Sequence, residues 1–169
     1  VQTCALPISP VADQVRAQRA MVHLMRGETE GAKELVDKID LSRHKEAKER
    51  ASLAAVVAEA WARCGQAKRA VELLETLDPN DAAFDEIKPQ LLRSRAFAYA
   101  WTNDSKKMKA TLRTLFGMNM QYMAFFITKK KMPGSNVSPK GVHPLLEKEA
   151  FDMLQKSGMG NRKVEYRRN

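Results

Sequence analysis

The chain has 169 residues, enough for one domain of ordinary size. Its two cysteines cannot build a disulfide framework, and no run reaches the ~18 apolar residues of a membrane span. Net charge is +9 and uneven: residues 1–103 hold 15 Lys+Arg against 15 Asp+Glu, residues 104–169 hold 14 against 5. The basic excess is therefore C-terminal, and the two parts are expected to do different things.

In chain order, residues 1–8, VQTCALPI, resemble the translated read-through of a common sequencing adapter. Residues 1–9 are expected to be an artefactual or disordered leader, with the true N-terminus missing. Upstream repeats, a signal peptide or an anchor thus stay open. A genuine apolar leader is the competing reading, but the stretch lacks a positive n-region and is too short.

Apolar residues at three-and-four spacing predict helices over Val11–Arg26 and Thr29–Ile39, then a longer one over Arg43–Cys64 with Ser42 as its N-cap. A further helix carries Ala67, Ala70, Val71, Leu74 and Leu77 on one face. Asp78-Pro79-Asn80-Asp81 is a turn, because Pro79 cannot continue a helix. Helices then span about Gln90–Thr102 and Ser105–Phe116, with Pro89 in a first turn and Gly117 as a stop.

The helix pairs repeat. Gly27, Gly65 and Asn103 are 38 residues apart, and all suit a left-handed turn. The same spacing links Ala20, Ala58 and Ala96; His23, Trp61 and Tyr99; Ala32, Ala70 and Met108. It also links Val36, Leu74 and Leu112, and Ile39, Leu77 and Leu115. A fixed period of this size is the mark of a helical solenoid. The bland alternative is a helical bundle with accidental periodicity.

With Ala58, Trp61, Gly65, Ala70, Leu73-Leu74 and Pro79, residues from about Val11 to Phe116 resemble the tetratricopeptide repeat family. Three departures mark a divergent member, or a relative such as a Sel1-like array. The period is 38 rather than about 34, His23 replaces an aromatic, and Met108 replaces an Ala. The fold expected is all-α: a right-handed α-solenoid of about three helix–turn–helix repeats, at about 10–40, 43–78 and 82–117, with C-terminal capping helices. The resemblance implies a concave groove lined by the first helix of each pair. Its candidate residues are Met21, Leu24 and Met25, then Glu59, Ala62 and Arg63, then Gln90, Arg93, Phe97 and Trp101. Such a surface would take a peptide of some acidic character. The Lys/Asn/Arg clamp that some members use for a peptide C-terminus is absent from the matching positions.

Residues 118–131 are rich in Met and aromatics and are expected to form a capping helix, with Met118, Tyr122, Phe125 and Phe126 on one face. An exposed Met-rich surface for a partner is the sharper alternative. Residues 132–143 read as a loop, 144–158 as a final helix entered at His143-Pro144, and 159–169 as a basic disordered tail.

The sequence shows no phosphate-cradling loop, nucleophile elbow or metal-type Cys/His spacing. His23 and Cys64 are expected to be packing residues and His44 to be exposed. The expectation is a non-enzymatic protein–protein interaction scaffold with no cofactor and no metal, a peptide or protein partner, and a cytoplasmic location. The alternative is nucleic-acid or other polyanion binding through Lys106, Lys107, Lys129, Lys130, Lys131, Arg162, Lys163, Arg167 and Arg168, helped by Lys109 and Arg113. Convergence of these cations on one face would favour it.

Overall fold

The structure, a computed structural model, describes residues 9–127 and 142–158. Residues 1–8 of the leader expected at 1–9, Lys129–Lys131, most of the loop at 132–143 and the basic tail lie outside the described residues, while Ser9 is the N-cap of the first helix, its Oγ accepting from the Ala12 N–H at 3.2 Å. Among the described residues seven α-helices follow one another: α1 Pro10–Arg26, α2 Thr29–Val36, α3 Ala47–Arg63, α4 Ala67–Glu75, α5 Lys88–Trp101, α6 Ser105–Met118 and α7 Pro144–Lys156. Among the described residues there is no strand, and no helix is long and apolar enough to cross a membrane.

α1–α2, α3–α4 and α5–α6 are hairpins, and their turns are the same turn three times. Gly27, Gly65 and Asn103 all adopt left-handed backbone, at φ 73°, 87° and 59°. The residue after each donates its N–H to the carbonyl five places back. These bonds are Glu28 to His23 (2.9 Å), Gln66 to Trp61 (2.8 Å) and Asp104 to Tyr99 (2.9 Å). This wide bond satisfies a helix-end carbonyl that would otherwise be orphaned.

A second contact recurs in the same register. The Arg69 guanidinium lies 3.8 Å from the Trp61 ring centroid, and the Lys107 ammonium lies 5.4 Å from that of Tyr99. Each is a cation–π pair across a hairpin. In the first hairpin the corresponding residues are His23 and Gly31. A Cβ on Gly31 would come within 3.0 Å of His23 Nδ1, so the imidazole occupies the space a side chain would need.

α3 packs on α1 and α2, and α5 packs on α3 and α4. Ala17, Ala20, Leu24, Val36, Val56 and Val57 fill the space between the first two hairpins. A larger core joins Ala58, Leu74, Phe97 and Leu112 to Met123, Phe126 and Leu146. Trp61 and Leu73 touch both clusters and so connect them.

Four local expectations are corrected. α3 begins at Ala47, not Arg43, and Ser42 does not cap it. Asp40 instead accepts from the Ser42 N–H (3.0 Å) and caps a 3₁₀ turn, Leu41–Arg43. α1 and α3 each have 17 residues, and a second 3₁₀ segment, Ala82–Ile87, precedes α5. The expected capping α-helix is a 3₁₀ helix, Met120–Phe125. Its three-residue period turns Met123 and Phe126 inward and leaves Met118 and Phe125 exposed. Finally, His44 is buried, as described below.

Candidate interaction groove

The first helices of the three hairpins line one open groove of about 510 Å³. Gln14, Ser52 and Gln90 hold equivalent positions on α1, α3 and α5, 38 residues apart, and all three face it. Ser52 Oγ donates to Gln90 Oε1 (3.1 Å), and Gln90 Nε2 donates to the Ser52 carbonyl (3.2 Å). Gln14 Nε2 donates to Glu49. Between these polar positions lie Ala17, Met21, Leu53 and Val56. The carboxylates of Glu46 and Glu49 stand at the rim, and Lys48 reaches Glu86 at 2.9 Å.

Of the residues expected to line the groove, Met21 and Gln90 do so. Glu59, Arg63 and Phe97 are buried, which corrects the expectation. Glu59 Oε1 accepts from Arg63 Nη1 (3.0 Å) and from the mostly buried Arg93, through Nη2 (2.8 Å). Arg63 Nη2 also donates to the Leu24 carbonyl at the end of α1 (2.9 Å), tying the second hairpin to the first. Burial pulls the Arg63 guanidinium below its usual value. The Arg63 guanidinium lies over Phe97, and that of Arg93 over Phe125.

The C-terminal elements explain this arrangement. Phe126 packs on Phe97 with ring centroids 5.3 Å apart, and His143 meets Trp101 edge-on at 4.8 Å. They cover the C-terminal half of α5 and leave the N-terminal halves of the first helices open. Met25 does not line the groove and is exposed on α1. The groove is lined instead by amide, hydroxyl and apolar groups with Glu46, Lys48 and Glu49 among them.

The cations proposed for anion binding do not stand free as a group. Lys107 pairs with Glu75 at 2.9 Å, and Lys109 pairs with Glu149 at 3.0 Å. Lys106 is exposed on α6. Arg113 is also exposed on α6, and the other seven, Lys129, Lys130, Lys131, Arg162, Lys163, Arg167 and Arg168, lie outside the described residues.

His44 was misread because it lies in a polar connector with no apolar periodicity. It is fully buried: Nε2 lies 3.1 Å from Asp13 Oδ2, and Glu49 Oε1 lies 3.2 Å from Nδ1 outside hydrogen-bond geometry. Asp13, also buried, accepts from Arg16 Nη1 at 2.7 Å and from the Asp40 N–H at 3.4 Å. This knot fixes the connector onto α1 and α3 beside the groove. A buried Asp inside the first turn of an amphipathic helix was the only available hint. His23 packs as expected and contacts Glu28.

Compared with known protein families, with curated proteins and with solved structures, the chain has no match.

Proposed function

We propose that this protein is a non-enzymatic interaction scaffold, a right-handed tetratricopeptide-like solenoid that binds an extended peptide across α1, α3 and α5. One observation carries this reading: Gln14, Ser52 and Gln90 recur at the same register along a single groove. An extended peptide brings backbone N–H and C=O groups that need partners when buried. Amide side chains can donate and accept, so they can meet both. Ala17, Met21, Leu53 and Val56 offer apolar seats for the peptide's side chains. The acidic rim favours a neutral or weakly basic peptide.

The test is selection of binders from a random linear-peptide display library against the whole chain. Gln14→Ala or Gln90→Ala should weaken a selected peptide about two- to tenfold, as for one lost hydrogen bond of roughly 0.5–1.5 kcal/mol. Met21→Arg should abolish binding. Binders indifferent to all three changes would place the partner elsewhere. Polyanion binding by the C-terminal cations is the rival reading, and the ion pairs of Lys107 and Lys109 weigh against it. It would gain if single-stranded RNA bound with an affinity falling steeply with salt.

A further inference from the structure

α1 carries an exposed apolar stripe: Val11, Val15, Val22 and Met25. Isolated apolar residues on a surface need no explanation, but a continuous helical stripe does. The internal repeat supplies one. Val15 corresponds to Leu53 and Leu91, and Val22 to Ala60 and Ala98, at successive shifts of 38. Val15 is 39% exposed, whereas Leu53 and Leu91 are 5% and 1%. Val22 is 46% exposed, whereas Ala60 and Ala98 are both 0%. Between them Gln18 is exposed, while its counterparts Val56 and Ser94 are buried.

What buries the later copies is the hairpin before them. Leu53, Val56 and Ala60 pack among residues of α1 and α2. Ser94 Oγ donates to the Ala55 carbonyl of α3 at 2.7 Å, and Ala98 packs with Ala70 and Leu74 of α4. The second of these interfaces adds a polar contact. Arg95 donates from Nη2 to the carbonyls of Leu74 (3.0 Å) and Leu77 (2.6 Å), closing the end of the preceding second helix. One period earlier the same position is the buried Val57, and two periods earlier it is Arg19, exposed on α1 beside Val15 and Val22. Met25 likewise matches Arg63, which donates to the end of the preceding α1.

We propose that the exposed face of α1 is a docking surface for one further helix–turn–helix unit of this same 38-residue kind, its second helix ending against Arg19. The surface continues an interface that the molecule already builds twice, with the apolar seats in place and an arginine where the second of those interfaces has Arg95. This surface meets the groove at Gln18, which also lines it, but the proposal does not rest on peptide binding there. A second copy of the chain offers no such unit at its far end, because Met120–Phe125 and α7 pack on α6.

The test duplicates residues 9–46 in tandem ahead of Ser9 of the whole chain, so that a hairpin precedes α1 in register. The added hairpin should fold, and the product should melt in one transition at least about 4 °C above the parent. Val15→Asp with Val22→Asp in the receiving α1 should remove that gain. The same pair in the parent should leave its melting temperature unchanged, since both sites are exposed. Arg19→Ala should remove part of the gain. An added segment that stays unfolded or melts separately overturns the proposal. So does a parent chain that sediments as a dimer split by Val15→Asp and Val22→Asp, which would make the face an interface between copies.

Discussion

At the scale of the residue, the buried Glu59–Arg63–Arg93 cluster is the most consequential finding. Two guanidiniums share one carboxylate in an aromatic setting. Removing charges from water is costly unless they are paired, and removing one partner leaves the others uncompensated. Glu59→Gln should therefore lower stability by about 3–5 kcal/mol, read from urea denaturation midpoints. A loss below 1 kcal/mol would mean that the cluster is hydrated. Cys64 yields a prediction of another kind. Burial, then the Glu30 carboxylate that accepts its hydrogen bond at 3.0 Å, push the thiol up to about 11. Alkylation by iodoacetamide should be slow at pH 8 and become fast only near pH 11. Because the folded chain holds the proton more tightly than the unfolded one, this contribution is full below about pH 9 and lost as pH climbs towards 11.

At the scale of the element, each hairpin depends on one left-handed residue. Gly65 has φ +87°, and a Cβ there would meet nothing within 4 Å. Gly65→Ala should thus cost only the conformational penalty, about 1–2 kcal/mol. Gly65→Asn should cost less, because Asn103 already serves the equivalent turn at φ 59°. Equal stability of the Ala and Asn variants, measured by thermal melts, would sink the idea that backbone handedness sets these turns. The 3₁₀ segments Leu41–Arg43 and Ala82–Ile87 fill the connectors between successive hairpins, each opened by an Asp side chain that accepts a backbone N–H.

At the scale of the whole molecule, the C-terminal part closes the core. Met123, Phe126, Leu146 and Ala150 are fully buried against α5 and α6 residues. Phe126 fills the space beside Phe97, so Phe126→Ala should cost about 3–5 kcal/mol. It should also raise binding of an apolar dye. A variant that kept its melting temperature would show the cap to be dispensable. The first and last hairpins therefore differ: α7 and Met120–Phe125 cover the last, whereas α1 leaves Val11, Val15, Val22 and Met25 exposed.

Much of this was legible along the chain. The all-helical class, the hairpin turns at Gly27, Gly65 and Asn103, and the inward alanines at 20, 58 and 96 follow from periodicity and from the few residues that tolerate positive φ. These are local properties, fixed by side-chain spacing and backbone sterics. The entry of α7 at His143-Pro144 was legible for the same reason. Only the tertiary structure decided which charged residues are buried. Glu59, Arg63 and Arg93 look like a solvated polar face until α5 and Phe125 are laid over them. His44 looks exposed until Asp13, 31 positions away in the chain, meets its ring. The groove was placed too far towards the C-terminal ends of the first helices because its limit is set by Phe126 and His143, which arrive from later in the chain. Burial of a charge depends on which partners converge on it from distant elements, and spacing along one helix carries no record of them.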